Sequence, residues 1–179
     1  MTMQTFIYVD HANLFIEGAR VSAVSRGQAA SIEEARSSRI TDRSFRIDFG
    51  KLHRLLVPEF TTARARIFGS RNEANGAVWE EAARCGFEVV VQEVAGNGKD
   101  RKVDSSLVLA VARDAYRNAK QGDRFTIVSG DNEYCPLIAQ LQQDGFAVEV
   151  LFWNQAGRAI KRVADKFVVL DPFVDALRA

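Results

Sequence analysis

Short apolar runs alternate along this chain with longer segments in which apolar residues recur every three or four positions. The short runs, rich in Val, Ile and Phe, predict β-strands at positions 6–9, 65–68, 87–91, 124–129, 147–152 and 167–170. The helical period predicts helices over 47–57, 77–85, 103–118, 133–143 and 156–164. A polar turn is expected at 96–102, ahead of the longest of these helices.

Regular alternation of strand and helix is typical of a parallel sheet that is covered by helices on both faces. We therefore predict an α/β fold, a single-domain Rossmann-like three-layer α/β/α sandwich with a mostly parallel sheet. The length of 179 residues suits one domain with a substantial core, and no internal repeat is visible over positions 1–179.

One segment, at about 19–46, does not follow this pattern. It has little periodicity, many Ser residues and six Arg against three acidic residues. A loop of this length inside a compact domain is usually functional or mobile. Two interpretations remain open, a solvated, disordered insertion or an arm that faces the substrate, and the position of the segment soon after Asp10 favours the arm.

Composition narrows the class of protein. Hydrophobic residues make up 47% and charged residues 26% of the chain, as in ordinary soluble globular proteins. The net charge of +1 does not identify a nucleic-acid binder, so any attraction for phosphate must come from local patches. Cys85 and Cys135 form no metal motif and are expected to be reduced. Without a signal peptide or membrane span in the sequence, we expect a cytoplasmic protein.

Acidic and polar residues follow two of the predicted strands. Asp10 and Asn13 come after the first strand, and Ser129, Asp131 and Glu133 come at the end of the strand at 124–129. If these strands are neighbours where the strand order reverses, their carboxyl ends meet at the edge where α/β proteins place their sites. Asp104 opens the helix at 103–118, so it is a further candidate for the same cluster.

A cluster of Asp10, Asp104, Asp131 and Glu133 would suit a divalent metal, because packed carboxylates repel one another unless a proton or cation intervenes. Hard oxygen ligands of this kind suit Mg²⁺ or Mn²⁺, which can activate water for attack on a phosphodiester. Each acid also has a structural interpretation. Asp10 and Asp131 could cap the backbone that follows them, and Asp104 and Glu133 could favour a helix dipole.

Basic residues near these positions are candidates for holding a phosphodiester backbone, namely Lys99, Arg101, Lys102, Arg158, Lys161 and Arg162. Arg158, Lys161 and Arg162 could equally form an ordinary solvated helix face. Phe15, Tyr134 and Trp153 lie near strand exits and could stack on bases, although Phe15 and Trp153 fit a core role better. The Walker pattern is incomplete and GxGxxG is missing, so no nucleotide cofactor is expected. Without a GxSxG pattern a serine hydrolase is not supported.

Four segments together resemble the signatures of NYN domains, a branch of the PIN-like nuclease superfamily. These segments are YVDHANLF, KVDSSLVLA, VSGDNEYCPLIAQLQQDGFAVEVLFW and RAIKRVADKFVVL, the last including Asp165. The resemblance implies that Asp10, Asp104 and Asp131 bind the metal, with Asn13 and Ser129 as polar helpers. Glu133 stands where the family often has Asp.

The resemblance also implies a function, the metal-dependent cleavage of RNA. One departure concerns Ala110, which stands where many relatives carry a second Asp six positions after the first. Two alternatives therefore stay open, a non-catalytic RNA-binding or regulatory protein and a structure-specific DNA nuclease. RNA is the expected partner, no membrane is expected, and a homo-oligomer is possible.

Overall fold

A computed structural model describes residues 3–57, 62–72, 74–93 and 101–179 of the chain. Within these residues it has a parallel sheet and flanking helices. The strands are β1 (Gln4–Asp10), β2 (Thr62–Arg71), β3 (Glu88–Glu93), β4 (Arg124–Val128), β5 (Ala147–Phe152) and β6 (Lys166–Val169). The helices are α1 (His11–Ser25), α2 (Ile32–Ser37), α3 (Phe49–Leu56), α4 (Gly76–Arg84), α5 (Arg101–Arg117), α6 (Cys135–Gln143) and α7 (Arg158–Val163).

The sheet has the strand order β3-β2-β1-β4-β5-β6, and every pairing in it is parallel. The predicted α/β fold is therefore confirmed. β1 pairs with β2 on one side and with β4 on the other, so the strand order reverses between β1 and β4. This is the switch point at which open α/β sheets bind their ligands, outside the carboxyl ends of the strands.

The centre of the sheet is apolar on both faces, as parallel strands require. In β1 every residue from Thr5 to Asp10 is buried, and in β4 every residue from Phe125 to Val128 is buried. The rings of Tyr8 and Phe125 stack across this pair with centroids 6.1 Å apart. Because the central strands are fully packed, their carboxyl ends form a fixed platform for the loops that follow.

A buried ion cluster fastens α5 to this sheet. Asp114 on α5 is 1% exposed and accepts hydrogen bonds from the hydroxyl of Tyr8 at 2.7 Å and from Nη1 of Arg66 at 2.6 Å. Glu88 on β3 binds both Arg64 and Arg66, which extends the cluster across three strands. Burial and the neighbouring carboxylate raise the pKa of Tyr8, so its hydroxyl stays protonated and donates.

The prediction of an irregular segment at 19–46 is wrong for much of its length. α1 continues to Ser25, and α2 forms a further short helix. Sequence periodicity did not predict α1, because two of its buried positions are the polar residues Glu17 and Ser22. The part of the segment after α2 is attached to α1 and to the last residues of the chain through Asp42. Its carboxylate accepts hydrogen bonds from Ser22 and from Arg178 at 2.7 Å each.

Other boundaries also differ from the sequence prediction, by up to three residues at each end of β2, and three of the differences concern the starts of helices. The helix expected from position 47 begins at Phe49, because the carboxylate of Asp48 caps it. The predicted turn at 96–102 ends earlier, since Arg101 and Lys102 are the first residues of α5. The helix expected from Glu133 is a 3-10 turn, Asn132–Tyr134, followed by α6. Among the described residues no helix is long and apolar enough to cross a membrane.

Candidate active site at the carboxyl edge

Asp10 ends β1 and caps the helix that follows it. Its Oδ1 accepts a hydrogen bond from the backbone N–H of Asn13 at 3.2 Å, and only 6% of the residue is exposed. Capping is thus a real role of this residue, as the structural interpretation of the sequence suggested. Capping uses Oδ1, whereas Oδ2 faces the hydroxyl groups of Ser129 and Tyr134.

The hydroxyl of Tyr134 joins Asp10 to Asp104. It lies 3.0 Å from Oδ1 of Asp104 and 3.4 Å from Oδ2 of Asp10, and Tyr134 itself is 1% exposed. A hydroxyl has one proton, so it donates to one carboxylate at a time. The first strand, the first turn of α5 and the loop after β4 therefore meet at one buried hydroxyl group.

The electrostatics of this pair favour bound protons or cations. Burial is the main cause that raises the pKa of Asp10 to about 6, and the nearby Asp104 adds to the rise. The hydrogen bonds from Asn13, Ser129 and Tyr134 oppose it. Burial and the two carboxylates raise the pKa of Tyr134, so its hydroxyl is neutral. A cation at the pair would relieve the repulsion that raises the pKa of Asp10.

Asn13 and Ser129 connect Asp10 to the loop after β4. The Oγ of Ser129 lies 3.3 Å from Oδ2 of Asp10 and 3.1 Å from Oδ1 of Asn13. The same Asn13 oxygen accepts the backbone N–H of Gly130 at 2.9 Å. A side chain at Gly130 would meet the ring of Phe152, since an added Cβ would lie 2.3 Å from it. The turn therefore needs glycine at this position.

Asp131 and Glu133 lie further out. The N–H of Asp131 donates to Oγ of Ser129 at 3.3 Å, and Oδ1 of Asp131 accepts the N–H of Glu133 at 2.9 Å. Asp131 thus caps the 3-10 turn and is partly exposed. Glu133 is exposed, and its carboxylate has no hydrogen bond or ion pair with another described residue. The structure joins Asp10 to Asp104 through the Tyr134 hydroxyl, whereas the backbone of Asp131 is joined to Asp10 through Ser129.

This arrangement can be compared with the needs of a metal ion. In the described part of the chain, no three Asp, Glu, His or Cys side chains are grouped closely enough to hold a metal. The pair of carboxylates on Tyr134 still fits Mg²⁺ or Mn²⁺ in its donor chemistry. Mg²⁺ commonly keeps several waters and uses only one or two carboxylates together with substrate phosphate.

His11, directly after Asp10, does not contribute a charge. Burial lowers its pKa to about 4, so the imidazole is neutral at physiological pH. Its ring packs against aromatic neighbours, at 5.8 Å from the ring of Phe15 and 4.9 Å from that of Trp79. The negative charge of Asp10 is therefore not balanced by the histidine beside it.

The late basic helix is attached to the same loop. The N–H of Gly157 donates to the carbonyl of Gly130 at 2.9 Å, and the N–H of Ile160 donates to Oδ1 of Asn132 at 3.1 Å. Arg158 and Arg162 are exposed and have no partner among the described residues, whereas Lys161 contacts Asn154. Lys99 lies outside the described residues, as do the side chains of Arg101 and Lys102.

Sequence reasoning missed the role of the Tyr134 hydroxyl. The residue stood out only as an aromatic near a strand exit, although an aromatic three positions after Asp131 is a usable signal. Trp153 is a core residue, fully buried, with its Nε1 donating to the carbonyl of Leu14 at 2.8 Å. Asp165 has a structural role, since its carboxylate accepts the N–H of Val148 at 2.7 Å.

The fold and the acidic edge define an α/β protein with its site at the switch point of a parallel sheet. The sequence model of the NYN domain matches residues 5–171, so the chain belongs to the NYN domain family, which is generally nuclease-like. A solved structure of a protein of unknown function, VPA0982 from Vibrio parahaemolyticus, is similar in fold. It has a TM-score of 0.65 and 18% identity, over 94% of this chain and 93% of that chain. Comparison with curated proteins found no significant match.

Proposed function

We propose that this protein is a ribonuclease that uses Mg²⁺ or Mn²⁺ to hydrolyse RNA phosphodiester bonds. One observation carries the proposal: Asp10 and Asp104, from different elements, converge on the buried hydroxyl of Tyr134 at the switch point. Bringing two carboxylates together in a poorly solvated place costs free energy unless a cation is bound there. Membership in a nuclease-like family supports the same conclusion.

In this proposal Asp10 and Asp104 hold the metal, and Asp131, whose backbone N–H donates to Ser129, takes part through a water molecule. A bound divalent ion supplies an activated water and neutralises charge on the phosphate. Tyr134 orients the two carboxylates, because its hydroxyl lies between them and donates a hydrogen bond to one of them at a time. Asn13 fixes the loop that carries Ser129 and Asp131, because it accepts the N–H of Gly130.

The exposed guanidinium groups of α7 suit the RNA backbone. Arg158 and Arg162 have no acidic partner among the described residues, and their helix is attached to the Asn132 side chain. Contacts of this kind hold phosphates without reading sequence. We therefore expect binding that weakens with salt and depends little on sequence at these two positions.

The direct test measures cleavage of single-stranded and structured RNA by the purified protein with Mg²⁺, Mn²⁺ or EDTA. The variant Asp10→Asn should lose cleavage, because it keeps the cap and removes the charge. The matched control is Asp175→Asn, which makes the same charge change at an exposed position away from this edge. Cleavage that persists in EDTA or in Asp10→Asn would refute the proposal.

A second candidate function is RNA binding without cleavage. Two observations favour it: Ala110 replaces an acid on α5, and no three acidic groups in the described part of the chain form a metal cluster. This candidate expects RNA retention, equal for wild type and Asp10→Asn, with no cleavage at any metal concentration. Cleavage assays on DNA substrates, run in parallel, distinguish both candidate functions from a structure-specific DNA nuclease.

A further inference from the structure

A cavity of about 530 Å³ lies beside the first turn of α1. We call it the aromatic cavity, because its walls include the rings of His11, Phe15, Phe49 and Trp79. Its volume is in the range of ligand-binding pockets. It adjoins the acidic site through the chain itself, since His11 directly follows Asp10.

The walls of the aromatic cavity are fixed by close packing. The His11 and Phe15 rings are nearly parallel, with an interplanar angle of 7°, and Trp79 meets His11 at 66°. Trp79 also rests on the backbone of Gly69 in β2, where an added Cβ would lie 2.1 Å from the indole. The cavity is therefore a preformed aromatic surface, held by β2 on one side and by α1 on the other.

Charged groups border this otherwise apolar cavity. Arg46 and Glu81 are exposed and line it, so a ligand that carries a negative charge can pair with Arg46. Trp79 is 4% exposed, and its Nε1 is buried without a hydrogen-bond partner among the described residues. The indole therefore contributes an apolar wall to the cavity.

We propose that the aromatic cavity binds one base of the RNA strand whose phosphodiester bond lies at Asp10 and Asp104. This inference rests on the proposed function. A nucleobase is planar and stacks on aromatic side chains, and the rings of His11 and Phe15 are only partly buried where they line the cavity. Arg46 supplies a positive charge near the phosphate of the same nucleotide. The site thus selects the base next to the bond that is cut.

The first experiment measures binding without catalysis. Nucleoside 5′-monophosphates, ribose 5-phosphate and N-acetylphenylalaninamide are each titrated into the protein in EDTA, and tryptophan fluorescence is recorded. The chain has two tryptophans, and of these Trp79 lines the cavity whereas Trp153 packs in the core, so saturable quenching reports Trp79. We expect quenching by at least one nucleotide and none by ribose 5-phosphate.

Two alanines of α4 give a matched pair of variants. Ala77 and Ala83 are both exposed, but only Ala77 lines the cavity. Ala77→Phe fills the space and should weaken nucleotide binding roughly tenfold, as expected for the loss of one stacked base. Ala83→Phe, with the same added ring on the same helix, should bind as wild type does.

Cleavage provides the second readout. Wild type and Ala83→Phe should share a base preference beside the cut in a pool of randomised RNA, and Ala77→Phe should lose it. Nucleotide binding lost only in Ala77→Phe would support the base site even in a protein that cleaves nothing. The inference is overturned if no nucleotide binds, if Ala77→Phe binds normally, or if only N-acetylphenylalaninamide binds, which would assign the cavity to a protein side chain.

Discussion

The hydroxyl of Tyr134 lies 3.0 Å from Oδ1 of Asp104, and this contact joins the loop after β4 to the first turn of α5. The two residues are far apart in the chain, and the sheet topology brings them together because α5 leads from β3 at one edge to β4 beside β1. The same hydroxyl reaches Asp10, so one neutral donor serves two acids. This relationship makes Tyr134 the residue to test first.

Replacing Tyr134 by Phe removes the shared proton donor and leaves the ring in place. The hydrogen bond from Tyr134 is one of the groups that lower the pKa of Asp10, so Tyr134→Phe should raise that pKa above about 6. Carbon-detected NMR of the carboxyl group measures this directly. Cleavage should fall as well. Tyr116→Phe is the control, since Tyr116 is 89% exposed, and an unchanged Asp10 pKa in Tyr134→Phe would contradict the proposed contact.

The raised pKa of Asp10 makes a prediction about stability. Between its ordinary value of 3.8 and about 6, the folded protein keeps a proton on Asp10 that the unfolded chain has lost. This group therefore stabilises the fold fully below pH 4, and the contribution is lost as the pH rises through about 6. Asp10→Asn avoids the loss and should be more stable than wild type by roughly 2–3 kcal/mol at pH 7 to 8.

The two proteins should have equal stability near pH 3.5. Urea unfolding at several pH values measures the difference between them. His11, with a pKa of about 4, gives the free energy of unfolding an opposite dependence on pH in both proteins. Its effect therefore cancels when the free energy of unfolding of wild type is subtracted from that of Asp10→Asn. A difference that is independent of pH would show that Asp10 keeps an ordinary pKa.

Metal binding should appear as a change in melting temperature. A divalent ion binds ionised carboxylates and stabilises the folded state by mass action. Mn²⁺ should therefore raise the melting temperature of wild type at pH 7.5, less at pH 5, and not at all in Asp10→Asn. Differential scanning calorimetry in Ca²⁺-free buffers measures these melting temperatures. Equal shifts in both proteins would place the metal elsewhere, and Asp175→Asn controls for the general loss of one charge.

The sequence predicted the position of the acidic edge well, because that prediction depends on backbone topology. Apolar runs that end in Asp10 and in Ser129 to Asp131 identify two strand ends, and the parallel order brings them together. The sequence could not predict which acidic side chains share a hydrogen-bond donor, as Asp10 and Asp104 share the Tyr134 hydroxyl. That choice depends on where α5 starts and on the rotamer of Tyr134, and hydropathy carries no information on either.

The segment at 19–46 shows a second limit. Its helices are hidden in the sequence because polar residues occupy buried positions, among them Ser22, Asp42 and Glu17. Each is satisfied by a distant partner, as Asp42 is by Arg178. Such pairs are visible only after folding, since no local period links residues more than a hundred positions apart. A pattern method therefore finds only a polar loop there.

Asn13 makes a separate prediction about the loop after β4. Its Oδ1 accepts the N–H of Gly130, so Asn13→Ala leaves that donor without its partner. The loss of a partly buried hydrogen bond should cost about 1–2 kcal/mol in urea unfolding. It should also reduce cleavage, because Ser129 and Asp131 are no longer fixed beside Asp10. Asn118→Ala is the control, since Asn118 binds Asp114 far from this loop, and intact cleavage in Asn13→Ala would rule out the positioning role.

The ion cluster around Asp114 tests how α5 is held. Asp114→Ala removes the buried one of the two acidic partners of Arg66, whose side chain is 12% exposed, and leaves the Tyr8 hydroxyl without its acceptor. Removing one member of a buried ion pair is strongly destabilising, so we expect a loss of about 3–5 kcal/mol. Glu88→Gln is the matched control. Its carboxylate is 46% exposed, and solvent screening should limit the loss to about 1 kcal/mol or less.

Because α5 also carries Asp104, hydrogen exchange in its first turn should increase in Asp114→Ala and stay unchanged in Glu88→Gln. Equal losses of stability in the two variants would show that the cluster is solvated and does not fix the helix.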